Sequence, residues 1–133
     1  METIFKKIIE KKIISYTIYS DSEFIIILDI NPKNPGHSLI IPKKWSENVL
    51  MMNDKSFSEM FLLAKNFSNY LKEKLNAEGI KWVVNSGKEA GQVIFHTHLH
   101  LIPYYKNVNV YKDFEIKDIY ERLKNKENNY GEI

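Results

Sequence analysis

Cysteine is absent from the 133-residue sequence, and Arg122 is its only arginine. Without cysteine the chain cannot form disulfides or thiolate zinc sites, and it cannot use a cysteine nucleophile. The 19 basic and 17 acidic residues leave a formal net charge of only +2, which does not predict binding to an anionic polymer or surface. A single arginine further disfavours the clamping of phosphates, so we expect no nucleic-acid partner.

Long apolar runs are also missing. The apolar run at 24–28 is far shorter than the roughly 20 residues that cross a membrane. Lysines interrupt residues 1–14, so no signal-peptide core is found there. We therefore expect no membrane partner and a cytoplasmic protein. The chain length and the 44% hydrophobic content indicate one globular domain over residues 1–133.

Hydrophobic periodicity predicts an α+β domain. Apolar residues at helical spacing predict a short helix over 2–11, a long helix over 54–76 and a C-terminal helix over about 115–126. Alternating or continuous apolar runs predict strands over 14–20, 24–28, 37–41 and 80–84, and then a long strand over about 93–102 that ends at Pro103. Because successive strands have short connections, we expect an antiparallel sheet.

Three of the four histidines lie at positions 96, 98 and 100. Alternate side chains of a strand share one face, so these imidazoles would line a pocket together while the residues between them face the core. Three interpretations of this row are open. The rings are ordinary hydrogen-bonding residues, or ligands of a catalytic zinc ion, or a nucleophile flanked by two hydrogen-bond donors for chemistry at phosphorus.

The spacing favours chemistry at phosphorus. A straight strand separates the Cα atoms of the outer pair by about 13 Å, which is awkward for one metal ion. Neutral imidazole is a good nucleophile, and its ordinary pKa makes the neutral form common at pH 7. In this interpretation His98 attacks, while His96 and His100 hydrogen-bond phosphate oxygens or protonate the leaving group.

The stretch His-Thr-His-Leu-His-Leu-Ile at 96–102 resembles the His-x-His-x-His-x-x motif of the histidine-triad (HIT) superfamily. The blocks at 29–32, 35–37, 39–44 and 85–92 resemble that family in order and spacing, so the resemblance covers about residues 2–105. The bacterial Hint-type branch is the most similar. The resemblance implies a HIT-like fold, in which a five-stranded antiparallel sheet is combined with a long central helix and shorter terminal helices.

The resemblance also implies an activity. Members of the family cleave the α-phosphorus bond of adenosine phosphoramidates or related nucleotide conjugates through a nucleotidyl-histidine intermediate. The alternatives are a dinucleoside polyphosphate hydrolase and a non-catalytic nucleotide-binding module. His98 would be the nucleophile, His100 and His96 would hold the phosphate and leaving group, and His37 would orient the triad strand from behind. The implied partners are a purine nucleotide and a second copy of the chain in a homodimer.

The remaining site residues each have an ordinary structural alternative. Asp29 would accept hydrogen bonds from the ribose diol, or it forms an Asx turn ahead of Pro32. Asn85, Gly91 and Gln92 would bracket the phosphate, with Gln92 donating an amide hydrogen, or they form an ordinary loop between strands. The implied base slot, whose members could equally be plain core, consists of Ile4, Phe5, Ile8, Ile13 and Ile27.

The sequence departs from the family pattern at a structural zinc site. Many relatives bind zinc through an N-terminal Cys-x-x-Cys pair, a histidine after Pro-Lys-Lys and the first triad histidine. Thr3, Lys6 and Trp45 stand at the first three of these positions, so we expect no structural zinc. The chemistry requires no cofactor in this family, although magnesium could accompany polyphosphate substrates. Val93 replaces a serine that contacts the leaving group in some relatives, so the leaving group is not assigned.

Overall fold

An antiparallel sheet of five strands forms the centre of the computed structural model, which describes residues 2–107 and 109–124. The strand order is β1-β2-β3-β5-β4, and the strands are β1 (Thr17–Ser20), β2 (Phe24–Leu28), β3 (Ser38–Pro42), β4 (Gly79–Val83) and β5 (Leu99–Tyr104). The helices are α1 (Ile4–Ile9), α2 (Asp54–Leu75) and α3 (Ile116–Leu123), with single 3-10 turns at Val49–Met51 and Lys88–Ala90. The predicted five-stranded α+β architecture is confirmed.

Both faces of the central strands are covered, which explains their continuous apolar sequences. All residues of β2 and β3 are buried. Because successive side chains point to opposite faces, each strand contributes to two separate clusters. Ile26 and Ile40 face the apolar stripe of α2, whereas Ile27 and Leu39 share the other face with Phe5 of α1. The sheet therefore carries α2 on one side and α1, close to the histidines, on the other.

Helix α2 matches the predicted range of 54–76 to within one residue. Asn53 caps its first turn, because the side-chain oxygen accepts a hydrogen bond from the Ser56 N–H at 2.8 Å. Asn76 ends the helix in the left-handed conformation at φ 56°. The helix buries Met60, Ala64, Phe67 and Leu71 completely, as expected from their spacing.

The predicted strand over 93–102 is wrong at its start. Strand β5 begins only at Leu99, so His96 and His98 precede it and only His100 lies within it. The preceding segment bonds to the loop after β3 instead of to a neighbouring strand: the Thr97 N–H donates to the Ser46 carbonyl at 2.9 Å. Alternation of faces holds only along a regular strand, so the three imidazoles do not form the single row that the pattern predicts.

Pro103 does not end β5, which continues to Tyr104. The Pro103 carbonyl accepts a hydrogen bond from the Asn34 amide at 2.9 Å. The Tyr104 carbonyl accepts one from the Glu78 N–H on the β4 side, at 2.8 Å. The backbone of Pro103 thus faces away from β4, beyond the last β3 pair at Ser38 and Leu101. No ladder bond needs the N–H that proline lacks.

The terminal elements are shorter than predicted. Helix α1 spans Ile4–Ile9 within the predicted 2–11, and β1 begins at Thr17, which leaves Ile14 97% exposed. Helix α3 begins one residue after the predicted start at 115 and ends at Leu123, while residues 125 and 126 of the prediction lie outside the described residues. None of the helices in the described ranges is both long and apolar enough to span a membrane.

Candidate active site

A chain of hydrogen bonds fixes which ring nitrogens of His37 and His100 carry a proton. Nδ1 of His37 accepts from the Lys33 backbone N–H at 3.1 Å, so in the neutral ring the proton lies on Nε2. Nε2 of His37 lies 3.0 Å from Nδ1 of His100 and therefore donates to it. His100 consequently carries its own proton on Nε2. That proton is available to a bound substrate, because no group among the described residues, 2–107 and 109–124, bonds to Nε2 of His100.

His98 has the opposite tautomer. Its Nδ1 lies 2.8 Å from the backbone carbonyl of His96, which can only accept, so Nδ1 carries the proton. Nε2 therefore has a free lone pair, and in the described part of the chain no group donates to it. The His98 and His100 rings are 5.0 Å apart between centroids. The site thus places an unprotonated nitrogen beside a proton donor.

His96 faces the protein interior rather than the pocket. Its ring is only 1% exposed, and Nε2 lies 2.8 Å from the Pro42 carbonyl, to which it must donate. Nδ1 then accepts from the Thr3 hydroxyl at 3.2 Å. With both nitrogens bonded inside the protein, His96 cannot also hold the phosphate or leaving group. That predicted role is wrong, because the residue lies before the regular part of β5.

Burial keeps all four rings neutral. Desolvation lowers the pKa of His98 below 6.5, although the hydrogen bond to the His96 carbonyl and the charge of Asp29 oppose the shift. Desolvation also lowers the pKa of His96 and of His37. The pKa of His100 falls to about 4, because burial is reinforced by repulsion from His98 and His37. His98 and His100 are therefore both neutral at pH 7.

Asp29 follows β2 and adjoins His37. One carboxylate oxygen accepts from the Asn31 N–H at 2.8 Å, which is the Asx turn that the sequence allowed. The other oxygen lies 3.5 Å from Nε2 of His37. The turn thus occupies one oxygen and leaves the second at the edge of the histidine cluster, where it can still accept from a sugar hydroxyl.

The loop of Asn85, Gly91 and Gln92 is held together by Gln92, which is buried. Its side-chain oxygen accepts from the Gly87 N–H at 2.8 Å, and its amide nitrogen donates to the Glu47 carbonyl at 2.6 Å and the Ile94 carbonyl at 3.0 Å. Both amide hydrogens are thus used within the protein. The predicted donation from Gln92 to a phosphate is therefore wrong, and the residue instead fixes the loop.

Glycine is required at position 91 of this loop. Gly91 has φ +97°, which other residues rarely adopt, and the Asn85 amide lies 3.7 Å from the position that a Cβ would occupy. The loop therefore brings Asn85 and Gly91 together. Lys88–Ala90 form the 3-10 turn between Gly87 and Gly91.

Three of the five predicted base-slot residues come together. Phe5, Ile8 and Ile27 belong to or pack against one cluster, whereas Ile4 and Ile13 are 43% and 38% exposed and lie outside it. The Phe5 ring meets the His98 ring edge to face at 4.9 Å between centroids. This apolar cluster thus adjoins His98. Alternation along β2 and β3 could have identified its further members Ile25, Leu39 and Ile41, and Ile9 and Ile94 also pack against it.

Among the described residues, one group of side chains brings enough ligand atoms together for a metal ion, but its hydrogen bonds do not suit one. Asp29, His37 and His100 offer ligand atoms within 4.8 Å of one another. A histidine that binds a metal through Nε2 normally donates from Nδ1. Nδ1 of His37 faces the Lys33 N–H, so two donors would meet there.

The positions that correspond to structural zinc ligands in the resemblance have other contacts. The Thr3 hydroxyl bonds to His96, the Lys6 backbone N–H donates to that hydroxyl at 3.1 Å, and the Trp45 indole donates to the Phe95 carbonyl at 2.9 Å. A hydroxyl, an ammonium group and an indole do not provide a zinc site. The zinc-hydrolase interpretation of the triad fails separately, because Nε2 of His96 is bonded to Pro42.

Sequence reasoning missed the groups that orient the rings. The Lys33 N–H and the Pro42 and His96 carbonyls are backbone atoms, and no residue type identifies them. The segment before β5 is held by a hydrogen bond of 2.6 Å between the Ser46 and Thr97 hydroxyls. Thr3 could have been found as a helix cap, because it precedes the apolar residues of α1, but its contact with His96 spans 93 positions.

The comparisons with known proteins agree with this geometry. A family model described as the HIT domain matches residues 10–107, which include all four histidines. An uncharacterised HIT-like protein of Borreliella burgdorferi is 44% identical over 109 residues, which cover 80% of this chain and 78% of the relative.

Two solved structures share the fold. A hypothetical histidine triad nucleotide-binding protein from Sulfolobus tokodaii has a TM-score of 0.83 at 36% identity and covers 90% of this chain and 85% of its own. A HIT family hydrolase from Clostridium thermocellum has a TM-score of 0.69 at 34% identity, with 79% and 92% of the two chains covered. Most of this chain's fold therefore recurs in both proteins.

Proposed function

The chain belongs to the HIT family, and from this premise we propose that it is a nucleotide hydrolase acting through a nucleotidyl-histidine intermediate. Its substrates are adenosine phosphoramidates or related conjugates of a purine nucleotide, as the likeness to the bacterial Hint-type branch implies. One observation carries the proposal. His98 has a free Nε2 lone pair, and His100 presents an Nε2 proton beside it.

The first step uses both rings. Nε2 of His98 attacks the α-phosphorus while the bond from phosphorus to the leaving nitrogen breaks, and the electron pair leaves with the amine. Nε2–H of His100 donates a hydrogen bond to the leaving nitrogen, while the water that is the second substrate gives that nitrogen its proton and becomes hydroxide. His100 keeps its one ring proton and stays a neutral imidazole. Modification at Nε2 gives the His98 ring a positive charge, which is stabilised by the hydrogen bond from Nδ1–H to the His96 carbonyl.

The second step regenerates the enzyme. The hydroxide formed in the first step attacks phosphorus. The bond between phosphorus and Nε2 of His98 breaks, and its electron pair returns to the ring. AMP leaves, and His98 recovers its starting tautomer. Because His37 donates to Nδ1 of His100, it favours the tautomer required at the start of each cycle.

Substrate binding follows from the surroundings of the two rings. The cluster around Phe5 and Ile27 offers an apolar surface to the base, and the second oxygen of Asp29 is available to the ribose. The Asn85–Gly91 loop approaches the phosphate, where glycine permits close contact with the backbone. We assign no metal ion to the chemical step, and magnesium enters only with a polyphosphate chain.

A homodimer accompanies this function in our proposal. In the part of the chain that the structure describes, strand β4 pairs only with β5 and forms one edge of the sheet, where Trp82 is 41% exposed. A second copy would cover an edge that is otherwise open to other strands. Light scattering after gel filtration should give twice the chain mass of 15.7 kDa, and a monomer alone would contradict this part of the proposal.

The test is an acid-quench experiment with radiolabelled adenosine phosphoramidate. We expect turnover to AMP and, on quenching, a label that maps to the peptide containing His98. His98→Ala should abolish both turnover and label while AMP still binds. The matched control is Ser58→Ala on the exposed face of α2, which should behave as wild type because that side chain lies outside the proposed site.

The alternatives give different outcomes. A dinucleoside polyphosphate hydrolase would cleave diadenosine polyphosphates faster than the phosphoramidate while still labelling His98. A non-catalytic module would bind AMP with no turnover of either substrate. Full activity of His98→Ala, or a label on another histidine, would overturn the mechanism.

A further inference from the structure

We propose that Thr3 is a positioning residue of the triad, whose hydroxyl holds the His96 ring and, through the His96 backbone, aims the nucleophile His98. This inference rests on the proposed function for its catalytic consequence. The hydrogen-bond arrangement behind it can be tested on its own. Thr3 does not contact the reacting atoms in this proposal and acts only through His96.

The Thr3 hydroxyl has two partners at once. As the N-cap of α1, its oxygen accepts from the Lys6 N–H at 3.1 Å. The same oxygen lies 3.2 Å from Nδ1 of His96. Because the Pro42 carbonyl requires a proton on Nε2 of His96, Nδ1 has none, and the hydroxyl must donate to it. The start of α1 is therefore joined to the buried triad histidine by an oriented hydrogen bond.

This bond reaches the nucleophile in one further step. The His96 ring is anchored at both ends, by Thr3 and by Pro42. Its backbone carbonyl accepts from Nδ1 of His98 and sets the tautomer of that ring. Phe5, two residues beyond Thr3, contacts the His96 ring at 5.9 Å and the His98 ring at 4.9 Å between centroids. Helix α1 thus supports the triad through a hydroxyl and an aromatic ring.

Three substitutions separate the two uses of the hydroxyl. Thr3→Ser keeps the cap and the donor. Thr3→Asp keeps an excellent cap, but an ionised carboxylate can only accept, so it favours a proton on Nδ1 of His96. Thr3→Val keeps the shape and loses both bonds. If Thr3 acts only as a helix cap, Thr3→Asp should behave like Thr3→Ser. If Thr3 positions His96, the two variants should differ.

The first readout is the ¹⁵N NMR spectrum of the His96 ring at pH 7. We expect an unprotonated Nδ1 in wild type and Thr3→Ser, and a protonated Nδ1 in Thr3→Asp. The second is steady-state kinetics with adenosine phosphoramidate. Thr3→Asp should lower kcat by about tenfold with KM near that of wild type, because a charged His96 ring beside His98 opposes the positive charge that His98 gains in the first step. Thr3→Ser should restore kcat to the wild-type value.

The outcomes distinguish this proposal from the proposed function. If wild type shows no turnover but the His96 spectra change as expected, the proposed activity is wrong and the Thr3–His96 bond stands. If Thr3→Asp leaves both the His96 spectrum and kcat unchanged while turnover is normal, the positioning role is overturned and the activity stands. Thermal melts of the Asp and Ser variants verify that both remain folded.

Discussion

Replacing His37 tests the hydrogen-bond chain that prepares His100. His37 is buried, accepts from the Lys33 N–H at 3.1 Å and donates to Nδ1 of His100 at 3.0 Å. His37→Phe retains a ring of similar size and removes both bonds. The Lys33 N–H and Nδ1 of His100 would each be left without a partner, which costs roughly 1–3 kcal/mol of folding stability per group. Because neither group is fully buried, we expect the lower end of this range, about 2 kcal/mol in total.

The catalytic effect is expected to be larger than this stability loss suggests. Without a donor at Nδ1, His100 can place its proton there and present a bare Nε2 to the leaving group. Since removing one preorganised hydrogen-bond donor from a developing charge costs roughly 10²–10³-fold in kcat, we expect kcat to fall by roughly 10- to 100-fold. Chromatographic assay of AMP release from adenosine phosphoramidate measures kcat, and urea unfolding measures stability.

His37→Gln is the matched control. The amide nitrogen of glutamine can occupy the place of Nε2 and donate to His100, so this variant should keep most of the activity. The reasoning is refuted if folded His37→Phe turns over at the wild-type rate. It is also refuted if His37→Gln is impaired as strongly as His37→Phe, because the defect would then not depend on the donor.

Three further predictions concern the free energy of unfolding: its dependence on pH, and the effects of Gly36→Ala and Gln92→Leu. The pKa of His100 is about 4 in the folded chain and 6.5 ordinarily, so between these pH values the unfolded chain binds more protons than the folded one. The free energy of unfolding should therefore fall as the pH drops from about 6.5 towards 4. Equal urea midpoints at pH 7 and pH 5 would contradict this. Gly36 has φ +89° and its Cβ would lie 2.6 Å from Leu75, so Gly36→Ala should cost about 1–3 kcal/mol in urea unfolding, whereas Gly79→Ala, with open space, should cost less. Gln92→Leu breaks three hydrogen bonds and should lower the free energy of unfolding by about 2–3 kcal/mol; a loss below about 0.5 kcal/mol would show that they do not hold the loop.

Much of the fold was readable from local patterns. The stripe of α2 is periodic over many turns, and the apolar sequences of β2 and β3 are explained by burial on both faces. The triad motif also predicted that His98 and His100 lie close together, and their rings are 5.0 Å apart between centroids. The start of β5 was predicted wrongly because the segment before it bonds to a distant loop, as Thr97 does to Ser46. No local sequence signal identifies that partner.

The sequence by itself determined the family, the order of elements and the four imidazoles available for chemistry. Only the tertiary structure decided what each imidazole does. Strand alternation predicts equivalent rings at 96, 98 and 100, yet the chain becomes a strand only at Leu99, so His96 turns inward to Thr3 and Pro42. A ring's tautomer depends on whether its neighbour donates or accepts, and here most of those neighbours are backbone groups from distant segments, which residue identity does not encode.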